Sequence, residues 1–243
     1  MLRVGITERG DAGLDLSWVG KLNLVDFAIV ITKNPIYREF HEALIDNKSK
    51  LILHVTCTGF GGSKLEPNVP EPMRVLKAVR VLIKNGFPAE QIVLRIDPII
   101  PTPKGIQTAI DIIGFFHRYC SPVKRVRYSF IDMYPHVIER FKSARIRLPF
   151  DGFHAPKAMR DDAVTQLNAI ASAYDLRLES CAESNEHASG CISQLDAQIL
   201  HKELPAQLYK GQRRNCLCPA GKTELLTNAR RCPHNCVYCY WKG

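Results

Sequence analysis

The sequence predicts an α/β protein, a partial (β/α)6 TIM-like barrel of parallel strands with a cysteine-rich C-terminal tail. Three observations point there. Six short β-branched or alternating runs are separated by amphipathic stretches, those runs turn polar on every second position as they end, and three clustered cysteines, Cys232, Cys236 and Cys239, close the chain. Strand–helix alternation argues for a parallel sheet with its helices outside.

The strand runs are residues 2–6, 26–32, 51–57, 92–97, 125–131 and 176–181, short enough and rich enough in branched residues to be strands. The stretch after the first is short and Gly-rich, and predicts no helix. Residues 73–85 place Met73, Leu76, Val79 and Ile83 on one face, after two prolines and before Gly86, which suits a helix with a glycine stop. Residues 156–174 repeat the pattern through Met159, Ala163, Leu167, Ile170 and Tyr174, and 104–119 and 191–203 are further helices. Residues 1–204 are read as the barrel and 205–243 as a basic tail. From residue 205 to Cys232 there are about 27 residues, which extended would span roughly 90 Å at ~3.3 Å each, enough to climb from the barrel's bottom to its mouth.

In such folds active sites gather at the carboxyl ends of the strands. His54, Thr56 and Thr58 alternate at the end of the third strand, Arg95 and Asp97 at the fourth, and Glu179, Cys181 and Glu183 at the sixth; Thr32 and Asn34 end the second. Alternate positions share one face of a strand. Any one of these is ordinarily a satisfied core polar group. Their recurrence at one end of four strands points to a lumen wide enough for a ligand.

The chain of 243 residues carries a net charge of +9, uneven along its length: +5 over 121–147 and +6 over 202–243, leaving −2 elsewhere. Such concentration makes DNA, RNA or another polyanion a candidate partner, against the plainer reading of a solvated basic surface. The opening MLRVGITERG lacks a signal peptide's apolar core, and no apolar run approaches a membrane span. A cytoplasmic, reducing setting without membrane is expected, where nine cysteines speak for metal or catalysis before disulfides.

The chemistry concentrates in Cys232-Pro-His-Asn-Cys236-Val-Tyr-Cys239-Tyr-Trp. Thiolates are soft donors for zinc or for iron in iron–sulfur clusters. Three are one short of a closed structural zinc site or a saturated four-iron cluster, so an iron is left open to a small molecule. Cys216 and Cys218 are candidates for a second metal, with Cys57, Cys181 or Cys191, or for closing a zinc site with two terminal cysteines. Cys120, at a helix end, reads as packing. The Gly59-Phe-Gly61-Gly62-Ser63 loop is weakly a ligand loop and more ordinarily a flexible connection.

CPHNCVYC resembles the CxxxCxφC motif of the radical SAM superfamily, φ being aromatic, here Tyr238. Its terminal position resembles a family of radical-SAM-like proteins ending in CPHxCxYCY. Thr32-Lys33-Asn34-Pro35, Glu66-Pro67-Asn68-Val69-Pro70, Arg95-Ile96-Asp97-Pro98, Ser129-Phe130-Ile131-Asp132-Met133-Tyr134 and Cys181-Ala182-Glu183 fit the same family. The chain departs from it after the first strand, at Gly5-Ile6-Thr7-Glu8-Arg9-Gly10-Asp11, and in a more basic stretch between Cys218 and Cys232.

The resemblance implies a [4Fe-4S] cluster on Cys232, Cys236 and Cys239 and S-adenosyl-L-methionine (SAM) on its open iron. It also implies a 5′-deoxyadenosyl radical for hydrogen abstraction and an electron donor such as flavodoxin or ferredoxin. Asn34, Thr56, Arg95, Ser129 and Tyr238 are then cofactor-binding candidates, and Cys181, Glu183 and Asp97 catalytic ones, Cys181 as a thiol able to return a hydrogen atom. With the basic segments, the expected reaction modifies, rearranges or repairs a nucleobase. His234, Tyr240 and Trp241 could cover the cluster or stack on adenine, loop polarity and packing being the plainer readings. Two other readings compete: a non-catalytic, zinc-containing nucleic-acid-binding protein, and an electron-transfer iron–sulfur protein. Tyr238 and the long-range matches favour the radical SAM reading over both.

Overall fold

The computed structural model describes residues 2–183, 185–204, 216–218, 221–226 and 232–241. The six expected strands are present as β1 (Val4–Ile6), β2 (Phe27–Thr32), β3 (Leu51–Thr56), β4 (Ile92–Ile99), β5 (Arg125–Phe130) and β6 (Arg177–Cys181). Two short ones join them, β7 (Ala188–Ser189) and, from the tail, β8 (Lys222–Glu224). All eight are parallel, in the order β7-β6-β5-β4-β3-β2-β1-β8. The sheet curls into a partial barrel, open between β7 and β8.

The helices are α1 (Arg38–Asp46), α2 (Pro72–Lys84), α3 (Pro103–Tyr119), α4 (Pro135–Ser143), α5 (Lys157–Ala173) and α6 (Gln194–Ile199). Proline at the first turn opens α2, α3 and α4, where its missing N–H costs nothing. Thr102 caps α3 by accepting from the Gly105 N–H. The segment after β1 forms a 3-10 turn, Leu16–Leu24, that buries Trp18. The expected helix at 191–203 is shorter. A capping box, in which Ser193 and Asp196 exchange hydrogen bonds, fixes its start after Cys191 and Ile192.

Two apolar layers flank the sheet. Outward residues such as Ala28, Val30, Leu53, Val55 and Leu94 pack on α1, α2, α3 and α5. Inward residues Val4, Phe27, Ile29, Ile52 and Val93 pack on Ala197 of α6 and on Leu200 just after it. The sixth helix therefore fills the barrel's inside. It also touches the Ala89–Gln91 turn leading into β4, at the amino ends of the strands. Among the described residues no helix is long and apolar enough to cross a membrane.

Candidate functional site

The inward polar positions form layers across the sheet. Register aligns Thr56 of β3 with Arg95 of β4, Arg127 of β5 and Glu179 of β6. One step lower, Arg125 meets α6. There Arg125 Nη2 donates to Asp196 Oδ1 at 2.7 Å and to Glu179 Oε1 at 3.1 Å, and Arg127 Nε donates to Glu179 Oε2 at 3.0 Å. Arg127 Nη1 also donates to the Cys191 carbonyl at 2.9 Å and to His54 Nε2 at 3.1 Å. Burial, then the charges of Arg127, Arg95 and Arg125, push the His54 pKa well below the usual histidine range, so the ring is a neutral acceptor. Burial opposes the Asp196 charge, but Arg127 and Arg125 outweigh it and hold its pKa below normal. Thus the lower half of the predicted lumen is a closed ionic floor. His54 and Glu179 belong to it.

Above the floor lies a cavity of about 340 Å³ at the carboxyl ends of the strands. Thr56, Arg95 and Asp97 line it, together with Cys232, Cys236 and Cys239. Arg95 pairs with Asp97, which also accepts from the Ser129 hydroxyl. Asn34 is buried at the end of β2; its side-chain oxygen has no partner and it is not a lining residue. Glu183 accepts from the Phe130 N–H at 3.1 Å and from Arg160 at 3.3 Å, and burial raises its pKa. Cys181 Sγ stands 3.0 Å from Cys191 Sγ and does not line the cavity.

Lys33 and Glu66, outside the sequence-predicted set, hold the terminal loop at this mouth through Tyr238, which belongs to that set. The Tyr238 hydroxyl donates to Glu66 Oε1, while Lys33 Nζ donates to Glu66 Oε1 at 2.7 Å and to the Tyr238 oxygen at 2.9 Å. Thr58 donates to the other Glu66 oxygen at 2.8 Å. Burial opposes both charges, yet the pairing prevails: Lys33 is held at about 12 and Glu66 below the usual carboxylate range. Gly62, at φ +77, turns the loop after β3 so that its N–H meets the Glu66 carbonyl at 3.0 Å. The Gly-rich loop therefore positions Glu66, and it lies outside the cavity lining.

His234 bridges Asp11 Oδ2 at 2.7 Å and the Asn68 carbonyl at 3.1 Å. Asp11 also accepts from Thr32 and the Lys33 N–H, each at 2.6 Å; with His234 these outweigh burial and keep its carboxylate below normal pKa. On the far side Arg140 donates to the Cys239 carbonyl at 2.5 Å and His136 approaches the Tyr240 carbonyl at 2.9 Å. Trp241 Nε1 donates to the Glu8 carbonyl at 3.2 Å. The loop is thus pinned to segments following β1, β2 and β3 and to α4. Pairs across more than 200 residues, such as Asp11–His234, are invisible to local sequence pattern.

Among the described residues no three His, Cys, Asp or Glu side chains are poised around a single metal ion. The donor set suits a larger group. Three thiols face one cavity, and none is bonded to a side chain that would compete for it. Burial pushes the Cys236 thiol up to about 12, with Lys33 working against that rise; metal coordination replaces such protons. Cys216 and Cys218 pack in one apolar cluster with Cys191, whereas Cys236 and Cys239 pack in another.

Residues 18–241 match the family model described as "Domain of unknown function (DUF1848)". The chain belongs to the DUF1848 family. No curated protein matches it. Among solved structures, this DUF1848 chain is similar to a domain of pyruvate-formate lyase-activating enzyme from Bacteroides vulgatus ATCC 8482. The two share 13% identity and a TM-score of 0.43, over 72% of this chain and 96% of that one.

Proposed function

We propose that this chain is a radical SAM enzyme. The observation carrying that reading is the docking of the terminal loop: Tyr238, His234, Arg140 and Trp241 anchor it so that Cys232, Cys236 and Cys239 face Arg95, Asp97 and Thr56 across one cavity. The three cysteines would hold a [4Fe-4S] cluster, leaving one iron without a protein ligand. Such a cluster would supply the electron for reductive cleavage of SAM to a 5′-deoxyadenosyl radical, with flavodoxin or ferredoxin as the donor class. Around it the chain's residues have ordinary roles. The ion pair of Arg95 and Asp97 offers a donor and an acceptor to the amino-acid end of SAM, and Ser129 orients Asp97. Tyr240 and Trp241, with rings 5.3 Å apart at the rim, offer an apolar surface that excludes water and can stack on a base.

Two supports of the zinc-tail alternative are weak. His234 is engaged by Asp11 and Asn68, and Cys216 and Cys218 lie with other partners, so a fourth ligand for the terminal three is wanting among the described residues.

For a polyanionic substrate, nucleic acid above all, the support narrows. Arg125 and Arg127 belong to the buried floor, and Arg140 holds the terminal loop. Lys142, Arg145 and Arg147 remain exposed at and after the end of α4, the helix whose Arg140 lines the cavity. Lys210, Arg213, Arg214, Arg230, Arg231 and Lys242 lie outside the described residues.

The test is anaerobic purification, cluster reconstitution, then dithionite and SAM. Brown protein that forms 5′-deoxyadenosine, with both properties absent in Cys236→Ala, is expected. A colourless protein that forms none after reconstitution would overturn the reading.

A further inference from the structure

A band of aromatic rings borders the cavity mouth. Tyr134 lines the cavity, lies near-parallel to His136 at 5.6 Å between ring centres, and meets Phe153 edge-on at 4.8 Å. Phe153 in turn meets His154 at 4.6 Å. An isolated bridge between Asp132 and His154, and a bond of 2.8 Å from the Met133 N–H to the Phe153 carbonyl, strap these two rings to the segment after β5. On the other side His136 approaches the Tyr240 carbonyl at 2.9 Å, and the Tyr240 ring lies 5.3 Å from that of Trp241. The band therefore runs from the terminal loop across α4 to residues 153 and 154.

Two properties set this band apart from ordinary packing. The first is exposure. Phe153, Tyr240 and Trp241 are 41%, 38% and 40% exposed, and of the five Phe, Tyr and Trp residues so exposed among the described residues only Tyr37 and Phe115 lie elsewhere. Single exposed rings are normal on a surface, whereas a contiguous group marks a contact surface. The second is charge. The Arg9 guanidinium lies over the Trp241 ring at 5.3 Å. Lys142, Arg145 and Arg147 are exposed, and Ile146 between the last two packs in the same apolar cluster as Tyr134 and Val237. Of the acids between residues 121 and 154, Asp132 is bonded by His154 at 2.8 Å, and Glu139 and Asp151 are exposed, so the cations keep the excess.

We propose that this rim binds an unpaired nucleic-acid strand, its bases stacked on Phe153, Tyr240 and Trp241 and its phosphates met by Arg9, Lys142, Arg145 and Arg147. Aromatic side chains with open faces suit bases, and bases present their own faces only where they are unpaired; in a duplex they are stacked on one another. An arginine beside a stacking ring adds a cation–π contribution. A polyanion without bases would use the cations and leave the rings in water. A strand lying along the band passes over the cavity, where Arg95 and Asp97 face the terminal cysteines. The inference rests on the polyanion reading above and names its form; binding of the strand needs neither cluster nor SAM.

The test follows the fluorescence anisotropy of a labelled single strand of about 15 nucleotides, and of the same strand in a duplex, titrated with the full reconstituted chain. Tighter binding of the single strand is expected, together with quenching of tryptophan emission. That quenching reports Trp241, because the chain's other tryptophan, Trp18, is fully buried. Phe153→Ala, a change at an exposed ring that leaves the core intact, should weaken the strand by about 5- to 150-fold, the loss of one stacked base. Phe115→Ala, at an exposed ring on α3, should leave the affinity unchanged. Duplex bound as tightly as single strand, polyphosphate displacing the label as readily as unlabelled strand, tryptophan emission unmoved at saturation, or full affinity in Phe153→Ala would each overturn the proposal. Its failure is separable from that of the radical SAM reading. A chain that binds the strand and forms no 5′-deoxyadenosine leaves this surface standing; one that forms 5′-deoxyadenosine and ignores single strands overturns the surface alone.

Discussion

Arg95 and Arg127 are register neighbours in one layer of the barrel, yet their surroundings differ. Arg127 is fully buried between Glu179, His54 and the Cys191 carbonyl, below which α6 brings in Asp196. Arg95 points up, pairs with Asp97 and borders the cavity under the terminal loop. The floor has its charges matched by protein groups and closes the barrel. At the mouth, polar groups and thiols remain turned toward a space a ligand can enter. A buried ion pair whose charges balance is a structural element, and removing one partner leaves an uncompensated charge. A polar group facing a cavity can be replaced with less damage to the fold and more to whatever binds there.

The sharpest break of this comparison is Cys236→Ala. Iron content after reconstitution and 5′-deoxyadenosine formation should fall to background while the urea unfolding midpoint moves little. A variant that keeps its iron would place the cluster elsewhere.

Next in size is the floor. Asp196→Asn should cost about 3–5 kcal/mol of stability by stranding Arg125 and Arg127, read from urea denaturation. It should also alter the acid limb. Because the native pKa of Asp196 is depressed, its stabilisation is fully present above the ordinary aspartate value of about 3.9 and is lost as pH falls through the native value. Asp196→Asn should therefore flatten stability against pH in that acidic window; an unchanged slope would mean that Asp196 is not ionised in the fold.

A smaller effect is expected from Tyr238→Phe, which removes the hydroxyl between Lys33 and Glu66. Loss of a hydrogen bond to a charged partner is worth about 1.5–3 kcal/mol. The loss should appear as faster amide exchange across 232–241, with the barrel strands unaffected. Equal exchange in both proteins would show that other contacts hold the loop.

Smallest in the folded state is the combined Lys142→Gln, Arg145→Gln and Arg147→Gln change. Stability should stay within ~0.5 kcal/mol. If nucleic acid is the partner, affinity should drop and its salt dependence become shallower by roughly one unit of slope for each phosphate that is no longer neutralised. Unaltered affinity and slope would remove α4 as its docking face.

Much of the scaffold could be read locally. Each of the six main strands and four of the six helices has its own signal, a branched run or a one-sided apolar stripe between proline and glycine. The α1 and α4 segments escaped because each is nine residues long, too short to show more than about two turns of an apolar stripe. The two extra strands escaped for another reason: two- and three-residue segments carry no periodicity, and β8 becomes a strand only because β1 offers an unpaired edge.

At the site, the cysteine spacing by itself determined the donor set, and the alternation of Thr56 with Thr58 and of Arg95 with Asp97 determined that polar side chains share a strand face. Those are properties of neighbours in the chain, fixed by strand pleat and loop length. Only the tertiary structure decided which polar positions became floor and which became mouth, because that depends on where α6 inserts. It alone joined Tyr238 to Glu66 and Lys33, and His234 to Asp11. Such pairs are selected by burial and charge compensation across the whole chain, and local sequence carries no record of either.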